Sequence, residues 1–362
     1  MRYIISAGGT GGHIYPALSI INKIKEEDKE AKILYIGTTD RMEKDLVPNL
    51  GIDYLGIKMN GLTRSVKKIV GFVINTLSSA RKCKKVMKKF KPDVVIGVGG
   101  YVTVPVVMAA KDLGVKIVLH EQNSIPGKSN IRLSKYADVV CISMKSSRKY
   151  FNTSNVVLTG NPRGEEILGV KKGNKKDYGL SISKKLVLIT MGSLGASTIN
   201  EKIVSMLDSF ENKHYEVLLV TGKANYEEIA VNDFPKNVNV VPYIEKMGEV
   251  LKFTDLIVTR AGATIISEIT ALGIPAILIP SPYVANNHQV INASDLEENG
   301  AAYVLDESTF TGDDLIDKID DILGDSKVYH DMSSASKKMG ITDSASRIYS
   351  EIERLFNRWL IC

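Results

Sequence analysis

His13 is one of five histidines in the 362 residues. It closes a turn of four glycines and a threonine, Gly8-Gly9-Thr10-Gly11-Gly12-His13. An imidazole at such a place can take a proton from a hydroxyl near neutral pH. A second polar cluster, His120-Glu121-Gln122-Asn123, begins on the last residue of the apolar 116–120 run. Four consecutive polar side chains there are expected to contact a ligand. A third is Arg260-Ala261-Gly262-Ala263-Thr264, with Ser267 and Glu268 just beyond. If a helix opens there, its free amides can hold a phosphate and Glu268 can accept from a sugar hydroxyl. Asn286-Asn287-His288-Gln289 is a fourth cluster. Each has a plainer alternative. His13 can cap a helix, and Glu268 can be a first-turn carboxylate favoured by the helix dipole.

The elements that must position these residues are legible in the same segments. Tyr3-Ile4-Ile5 reads as a strand feeding the glycine turn. Gly8, Gly9, Gly11 and Gly12 are free to take positive φ and to let an anion approach the backbone. The helix is expected to begin near Ile14, with Pro16 in its first turn. The spacing is not the G-x-G-x-x-G of dinucleotide-binding turns. The same strand, turn and helix sequence recurs at Asp93 to Tyr101, before an apolar segment from Val104, and at Leu186 to Ser197. Three such devices in both halves of the chain predict two nucleotide-type folds facing a cleft.

Strand patterns fall at 3–7, 32–36, 93–97, 116–120, 138–142 and 156–159. Helical patterns fall at 14–27, 66–90, 103–113 and 128–136. This alternation predicts a doubly wound parallel α/β sheet. Thr159-Gly160-Asn161-Pro162-Arg163-Gly164 breaks the pattern with turn residues. Strand patterns then resume at 185–191, 215–220, 238–241, 255–259, 275–280 and 301–304, with a long helical tail over 327–360. The expected domains are 1–160 and 161–362, and a length of 362 residues suits two of ordinary size.

Composition narrows the classes. Hydrophobic residues make up 44% of the chain, with many Val and Ile, as in sheets covered on both faces. No run approaches the roughly 18 to 20 apolar residues of a membrane span. The first residues form a strand pattern and not a signal peptide. Cys83, Cys141 and Cys362 have no metal-ligand spacing and read as reduced cytosolic thiols. No D-x-D motif is present. Neither a metal nor a cofactor is expected.

Charge is divided unevenly. Residues 1–160 hold 26 Lys and Arg against 12 Asp and Glu, and residues 161–362 hold 21 against 29. Residues 54–92 hold eleven basic residues and no acidic one. Within them, Ile69, Val70, Phe72, Val73, Ile74 and Leu77 are flanked by Lys67, Lys68, Arg81 and Lys82. Apolar side chains ringed by cations suit an anionic membrane surface. The plainer reading is an amphipathic helix with a solvated basic face. Nucleic acid is not expected, because the cations are not interleaved with aromatics.

Taken in order, GGTGGHIYP at 8–16, Gly99-Gly100-Tyr101, HEQN at 120–123, GNPR at 160–163, GSLGA at 192–196, Arg260 to Glu268, and Asn287-His288-Gln289 with Asn292-Ala293 resemble the MurG family. The likeness runs to about residue 300. The resemblance implies a two-domain GT-B architecture peripheral to the inner face of the bacterial cell membrane. It implies transfer of GlcNAc from UDP-GlcNAc to the 4-hydroxyl of MurNAc in undecaprenyl-diphosphate-MurNAc-pentapeptide, with inversion. The last helix, about 343–360, is expected to pack back on the first domain.

The resemblance also assigns residues. The backbone of Ile244 would read the uracil, Glu268 the ribose, Ser193 and Ala263-Thr264 the diphosphate, and Gln289 the GlcNAc. Arg163 would face the nucleotide. Thr10, Gly11, Gly12 and Asn123 would lie near the transferred sugar. His13, Tyr101, Glu121 and Asn130, with Gly99 and Gly100, would face the lipid-linked acceptor. Arg163 or Arg260 would help backbone amides meet the diphosphate charge. His13 is the expected base and Glu121 its alternative. The basic, apolar 64–89 segment would meet anionic inner-leaflet lipids, and cell-wall and division-machinery proteins are further partners the family implies. Two positions depart from the usual pattern. Arg163 follows Pro162 directly, and Met191 stands where a glycine is common. The rival activities on this fold are a nucleotide-sugar epimerase and a glycolipid glycosyltransferase. A non-enzymatic scaffold role is a third reading, disfavoured by the intact polar clusters.

Overall fold

The computed structural model describes residues 1–59, 66–192, 197–284 and 287–356, and the side chains among these except at 66–70 and 197–198. Expectations that rest on Ser193, the 193–196 turn, Asn286, Cys362 and the side chains of Lys67, Lys68, Ile69 and Val70 lie outside that description.

The chain divides into two compact units, Gly164–Thr342 and Met1–Arg163, the latter joined by the C-terminal segment from Asp343. The first unit is built from β1 (Arg2–Ala7), α1 (Gly11–Glu27), β2 (Lys32–Thr38), α2 (Glu43–Asn49), β3 (Asp53–Ile57), α3 (Val66–Phe90), β4 (Val94–Gly99), α4 (Thr103–Leu113), β5 (Lys116–Glu121), α5 (Lys128–Leu133), β6 (Val139–Ile142) and β7 (Val156–Leu158). α6 (Arg163–Gly169) leads into the second, which continues with β8 (Lys185–Thr190), α7 (Ser197–Val204), β9 (Tyr215–Val220), α8 (Tyr226–Ile229), β10 (Val238–Val241), α9 (Met247–Leu251), β11 (Leu256–Thr259), α10 (Ala263–Leu272), β12 (Ala276–Leu278), α11 (His288–Glu298), β13 (Ala302–Val304), α12 (Gly312–Gly324) and α13 (Ser326–Met339). α14 (Ser344–Arg354) returns to the first unit.

Both sheets are parallel throughout. Their strand orders are β3-β2-β1-β4-β5-β6-β7 and β10-β9-β8-β11-β12-β13. The strands are apolar on both faces, because helices cover both faces of a parallel sheet. In β1, Tyr3, Ile5 and Ala7 pack with Ile14, Ile21 and Ile348 on one side, while Ile4 packs with Val106 and Met87 on the other. The terminal α14 completes the first of these cores with Ile348 and Ile352.

Three local readings of the sequence are corrected. α1 begins at Gly11, not near Ile14, so Pro16 lies inside the helix and not in its first turn. The helix loses one interior bond, to the carbonyl of Gly12, and keeps the rest. The described part of the tail, 327–356, holds two helices, because the chain turns at 340–343, and 357–360 lie outside the described residues. Gly340 approaches the Thr270 carbonyl so closely that any side chain would collide with it. β3 and α2 were not legible at all. β3 is a short edge strand carrying an acid and a glycine, and α2 has seven residues and an internal Pro48.

Candidate active site

Strand order reverses between β1 and β4 in the first sheet and between β8 and β11 in the second. Ligands of open parallel sheets bind outside the carboxyl ends of strands at that reversal. The glycine turns and polar clusters singled out above leave the sheets there or one strand away.

At the first reversal, β1 and β4 bring two glycine loops edge to edge. Ala7 pairs with Gly99, and the Gly8 amide donates to the Gly99 carbonyl at 3.3 Å. Of the four glycines in the first turn, Gly9 alone takes positive φ, at 94°. Gly11 and Gly12 are helical, which corrects the expectation of a turn through all four. Gly99 and Gly100 do take positive φ, at 121° and 89°. Their missing side chains also matter sterically. A Cβ on Gly99 would lie 2.9 Å from the His13 Nε2, and one on Gly100 would strike the Gly8 carbonyl oxygen.

His13 occupies the third position of α1 and is half-buried. Its Nδ1 lies 3.3 Å from the Gly8 carbonyl oxygen and 3.4 Å from the Thr10 hydroxyl. A carbonyl only accepts. The hydrogen bond to Gly8 therefore needs the proton on Nδ1, and the neutral ring then carries its lone pair on Nε2. Nε2 faces the Gly99–Gly100 turn, beside the half-exposed Tyr101.

The HEQN cluster is different. His120, Glu121 and Gln122 are all buried. The His120 Nε2 donates to the Gly160 carbonyl at 3.0 Å, and its Nδ1 accepts from the Gln122 amide at 2.9 Å. Burial, with the nearby His13, lowers the His120 pKa to about 4, so this imidazole is neutral. The Glu121 carboxylate accepts from the amides of Gln122, Asn123 and Gly127, each at 3.0 Å, and from the Asn130 side chain at 2.9 Å. Both its oxygens are occupied by its own loop. Three of the four side chains in the cluster fasten the loop. Only Asn123 remains half-buried. Asn130 is buried, and its Oδ1 has no partner among the described residues.

At the second reversal, α10 starts at Ala263 behind an extended Gly262 with no side-chain cap. The Asn292 amide holds the approach by donating to the Ala261 carbonyl at 2.9 Å. The Thr264 hydroxyl is buried and has no partner among the described residues. A buried hydroxyl beside uncapped helix amides suits an anion. Glu268 is buried one turn further on. Gln289 accepts from the Ser281 amide through Oε1 at 2.8 Å, which orients its side-chain amide. The Ile244 side chain is buried, while Tyr243 next to it is exposed and lies under Lys223.

Arg260 has partners within the protein. Its Nη1 pairs with Glu307 at 2.6 Å and donates to the Ile279 carbonyl at 3.1 Å, and both charged side chains are nearly buried. Its Nη1 is thus matched inside the protein, and the Nη2 and Nε donors are not part of that pairing. The Arg163 guanidinium lies 5.9 Å from the centre of the Tyr15 ring on α1.

The sequence reading passed over Glu43 and Glu307. Glu307 stands 47 positions from Arg260, and no local pattern joins them. Glu43 follows Asp40 and Arg41 in what reads as a charged loop. In the fold it is fully buried beneath the first glycine turn.

Comparison with known proteins follows the same division. Residues 3–142 match the glycosyltransferase family 28 N-terminal domain, and residues 186–348 match the glycosyltransferase family 28 C-terminal domain. The UDP-N-acetylglucosamine–N-acetylmuramyl-(pentapeptide) pyrophosphoryl-undecaprenol N-acetylglucosamine transferase of Bacillus licheniformis is 45% identical over 361 residues, 98% of this chain and 99% of its own. The Bacillus anthracis transferase 1 of that name is 44% identical over 366 residues, 99% of this chain and 100% of its own. The crystal structure of Acinetobacter baumannii MurG has a TM-score of 0.79 at 28% identity, covering 98% of this chain and 99% of that one. The UDP-GlcNAc 2-epimerase of Neisseria meningitidis, at 14% identity and a TM-score of 0.70 over 98% of this chain and 100% of its own, shares the fold alone. With two Rossmann-like domains of the GT-B class, both family-28 patterns matched and 45% identity over almost its whole length, the chain belongs to the MurG family of N-acetylglucosamine transferases.

Proposed function

We propose that the protein transfers GlcNAc from UDP-GlcNAc to the 4-hydroxyl of MurNAc in undecaprenyl-diphosphate-MurNAc-pentapeptide, inverting the anomeric centre. The observation that carries this reading is the identity of 45% over 98% of the chain with a transferase named for that reaction.

The first unit takes the acceptor and the second the donor. His13 Nε2 removes the proton as the acceptor oxygen attacks the anomeric carbon. The bond from that carbon to the diphosphate oxygen breaks, and UDP leaves with the electron pair. The uncapped amides of α10 and the Thr264 hydroxyl meet the charge on the diphosphate, where fixed donors stabilise the transition state most. Glu268 accepts from the ribose, and the backbone at Ile244 reads the uracil. Gln289 binds the sugar. Asn123, held by Glu121, lies by the transferred group with Thr10. Glu121 is a positioning residue here, since its oxygens already accept from its own loop.

The membrane contact is assigned to α3. Thr76, Ser79, Cys83 and Met87 form its buried stripe, and Val73, Ile74 and Leu77 are exposed. Arg81 and Lys85 are exposed on the same helix. Lys82 instead donates to the Gly56 carbonyl. Among the described residues no helix is long and apolar enough to cross a membrane. The proposed contact is a reversible one at the cytoplasmic face, through buried apolar tips and about 1 kcal/mol per cation near anionic lipid. Ile74→Glu with Arg81→Gln should abolish sedimentation with anionic vesicles. Unchanged sedimentation would leave α3 as an ordinary solvated helix.

Radiolabelled UDP-GlcNAc with the purified lipid-linked acceptor tests the reaction. Label should pass to the lipid, and UDP should be released only with acceptor present. Formation of an epimerised sugar without acceptor would mean the rival activity. His13→Ala should lower turnover by roughly two to four orders of magnitude with donor affinity unchanged.

A further inference from the structure

Glu43 is a fully buried carboxylate, and among the described residues no cation pairs with it. Its Oε1 accepts from the Thr38 amide at 3.1 Å and the Thr38 hydroxyl at 2.7 Å. Its Oε2 accepts from the Gly9 amide at 3.5 Å. That amide and the Gly8 carbonyl belong to one peptide group. In a trans peptide the N–H and C=O point in opposite directions. The N–H points down to Glu43, and the C=O points up to the His13 Nδ1 at 3.3 Å.

We propose that Glu43 is a positioning residue that acts on His13 through the Gly8–Gly9 peptide. The carboxylate fixes the orientation of that peptide and polarises it. The carbonyl then holds the proton on Nδ1 and leaves Nε2 as the basic nitrogen. Hydrogen bonds in series strengthen one another, and the partner on one imidazole nitrogen sets the basicity of the other.

Four glycines clear the space this chain of contacts needs. A side chain on Gly8 would collide with the Glu43 Oε1, and one on Gly37 would lie 2.8 Å from its Cγ. A side chain on Gly99 would collide with the His13 ring, and one on Gly100 with the Gly8 carbonyl. The glycines of three separate segments thus share one purpose beyond backbone freedom. Other groups face the two ends. His120 on β5 lies near His13, and the Tyr35 and Tyr54 hydroxyls on β2 and β3 lie near Glu43. None of these touches the Gly8–Gly9 peptide in the hydrogen-bond network.

The proposal rests on His13 as the base, so its test needs a reading independent of turnover. Nitrogen-15 spectra of the full chain labelled at histidine report which ring nitrogen carries the proton, with His13→Gln giving the assignment. The wild-type neutral ring should be protonated on Nδ1. Glu43→Gln places a neutral amide against the Gly9 and Thr38 donors. It should move the ring population toward Nε2–H and shift the acid limb of the rate profile to lower pH. It should also reduce turnover about ten- to a hundredfold with an unchanged KM for UDP-GlcNAc. Thr38→Val removes a donor from the carboxylate and keeps its charge, so the acid limb should move to higher pH. A merely structural role would not give opposite signs. A wild-type ring protonated on Nε2 would overturn the proposal without any variant being needed. So would a folded Glu43→Gln protein with unaltered His13 signals. If His13→Ala retains full turnover, the base assignment fails, while the spectra still decide whether Glu43 sets the tautomer.

Discussion

The loop after β5 and the loop after β11 look alike in sequence, since each is a run of polar side chains at the carboxyl end of a strand. Their hydrogen bonds go to different places. After β5, the Glu121 carboxylate collects three backbone amides and the Asn130 side chain, and His120 bridges Gln122 to Gly160. After β11, the Arg260 charge is matched by Glu307, but among the described residues the helix start has no side-chain cap and the Thr264 hydroxyl has no partner. The first loop is closed on itself, and among the described residues the second leaves a buried hydroxyl open. A dense polar run therefore does not by itself mark ligand contact. The informative quantity is which donors and acceptors the protein leaves unmatched.

The contrast is broken most severely at Glu121. Glu121→Ala strands the buried Gln122 amide, takes the acceptor from the part-buried Asn123 and Gly127 amides, and leaves the Asn130 side chain only the His120 carbonyl. It should cost the first unit about 3 kcal/mol or more, since each unsatisfied buried group costs roughly 1 to 3 kcal/mol. The denaturant midpoint of the transition that reports this unit measures it. An unchanged midpoint would mean the loop is not the closed network described.

Acid should find the same loop. The folded His120 pKa is about 4 against 6.5 in an unfolded chain. Between those values the unfolded state binds a proton that the folded state does not. Stability is therefore complete above pH 6.5 and falls as pH drops toward 4, by up to about 1.4 kcal/mol per pH unit. His120→Gln should flatten that slope in melts taken across this window.

In the second loop, substitutions should act on ligand binding more than on folding. Glu268→Ala should weaken UDP-GlcNAc binding by roughly 1.5 to 3 kcal/mol, about ten- to 150-fold, and affect the rate at saturating donor less. Calorimetry checks it, and wild-type affinity would remove Glu268 from the ribose. Thr264→Val should have the smallest effect, a loss of about 1 kcal/mol in donor affinity. Its unfolding midpoint should be unchanged or higher, because the hydroxyl it removes is unmatched among the described residues. A clear loss of stability there would mean that the second loop is closed as well.

Much of the fold was legible because its signals are local. Short β-branched-rich runs such as Val94-Val95-Ile96 and Leu186-Val187-Leu188, ending in glycine turns, read as buried strands, and their alternation with helical patterns gives parallel sheets. The glycine turns were legible for the same reason. Asp53–Ile57 was not, because an edge strand needs only one apolar face and this one includes Gly56. The loop-fastening bonds of three members of the HEQN cluster were not legible either. Their partners, Gly160, Val98 and Asn130, are up to 40 residues away.

The sequence by itself determined the two parallel-sheet units, the glycine loops and the family, because apolar periodicity and short motifs are properties of neighbouring residues. Tertiary structure alone decided which polar groups are available for chemistry. It pairs Arg260 with Glu307, closes Glu121 within its loop, leaves Thr264 unmatched among the described residues and sets Glu43 beneath the Gly8–Gly9 peptide. The physical reason is that availability is what remains after a hydrogen bond has been sought by every buried donor and acceptor. Those partners come from strands and loops that only the folded chain brings together.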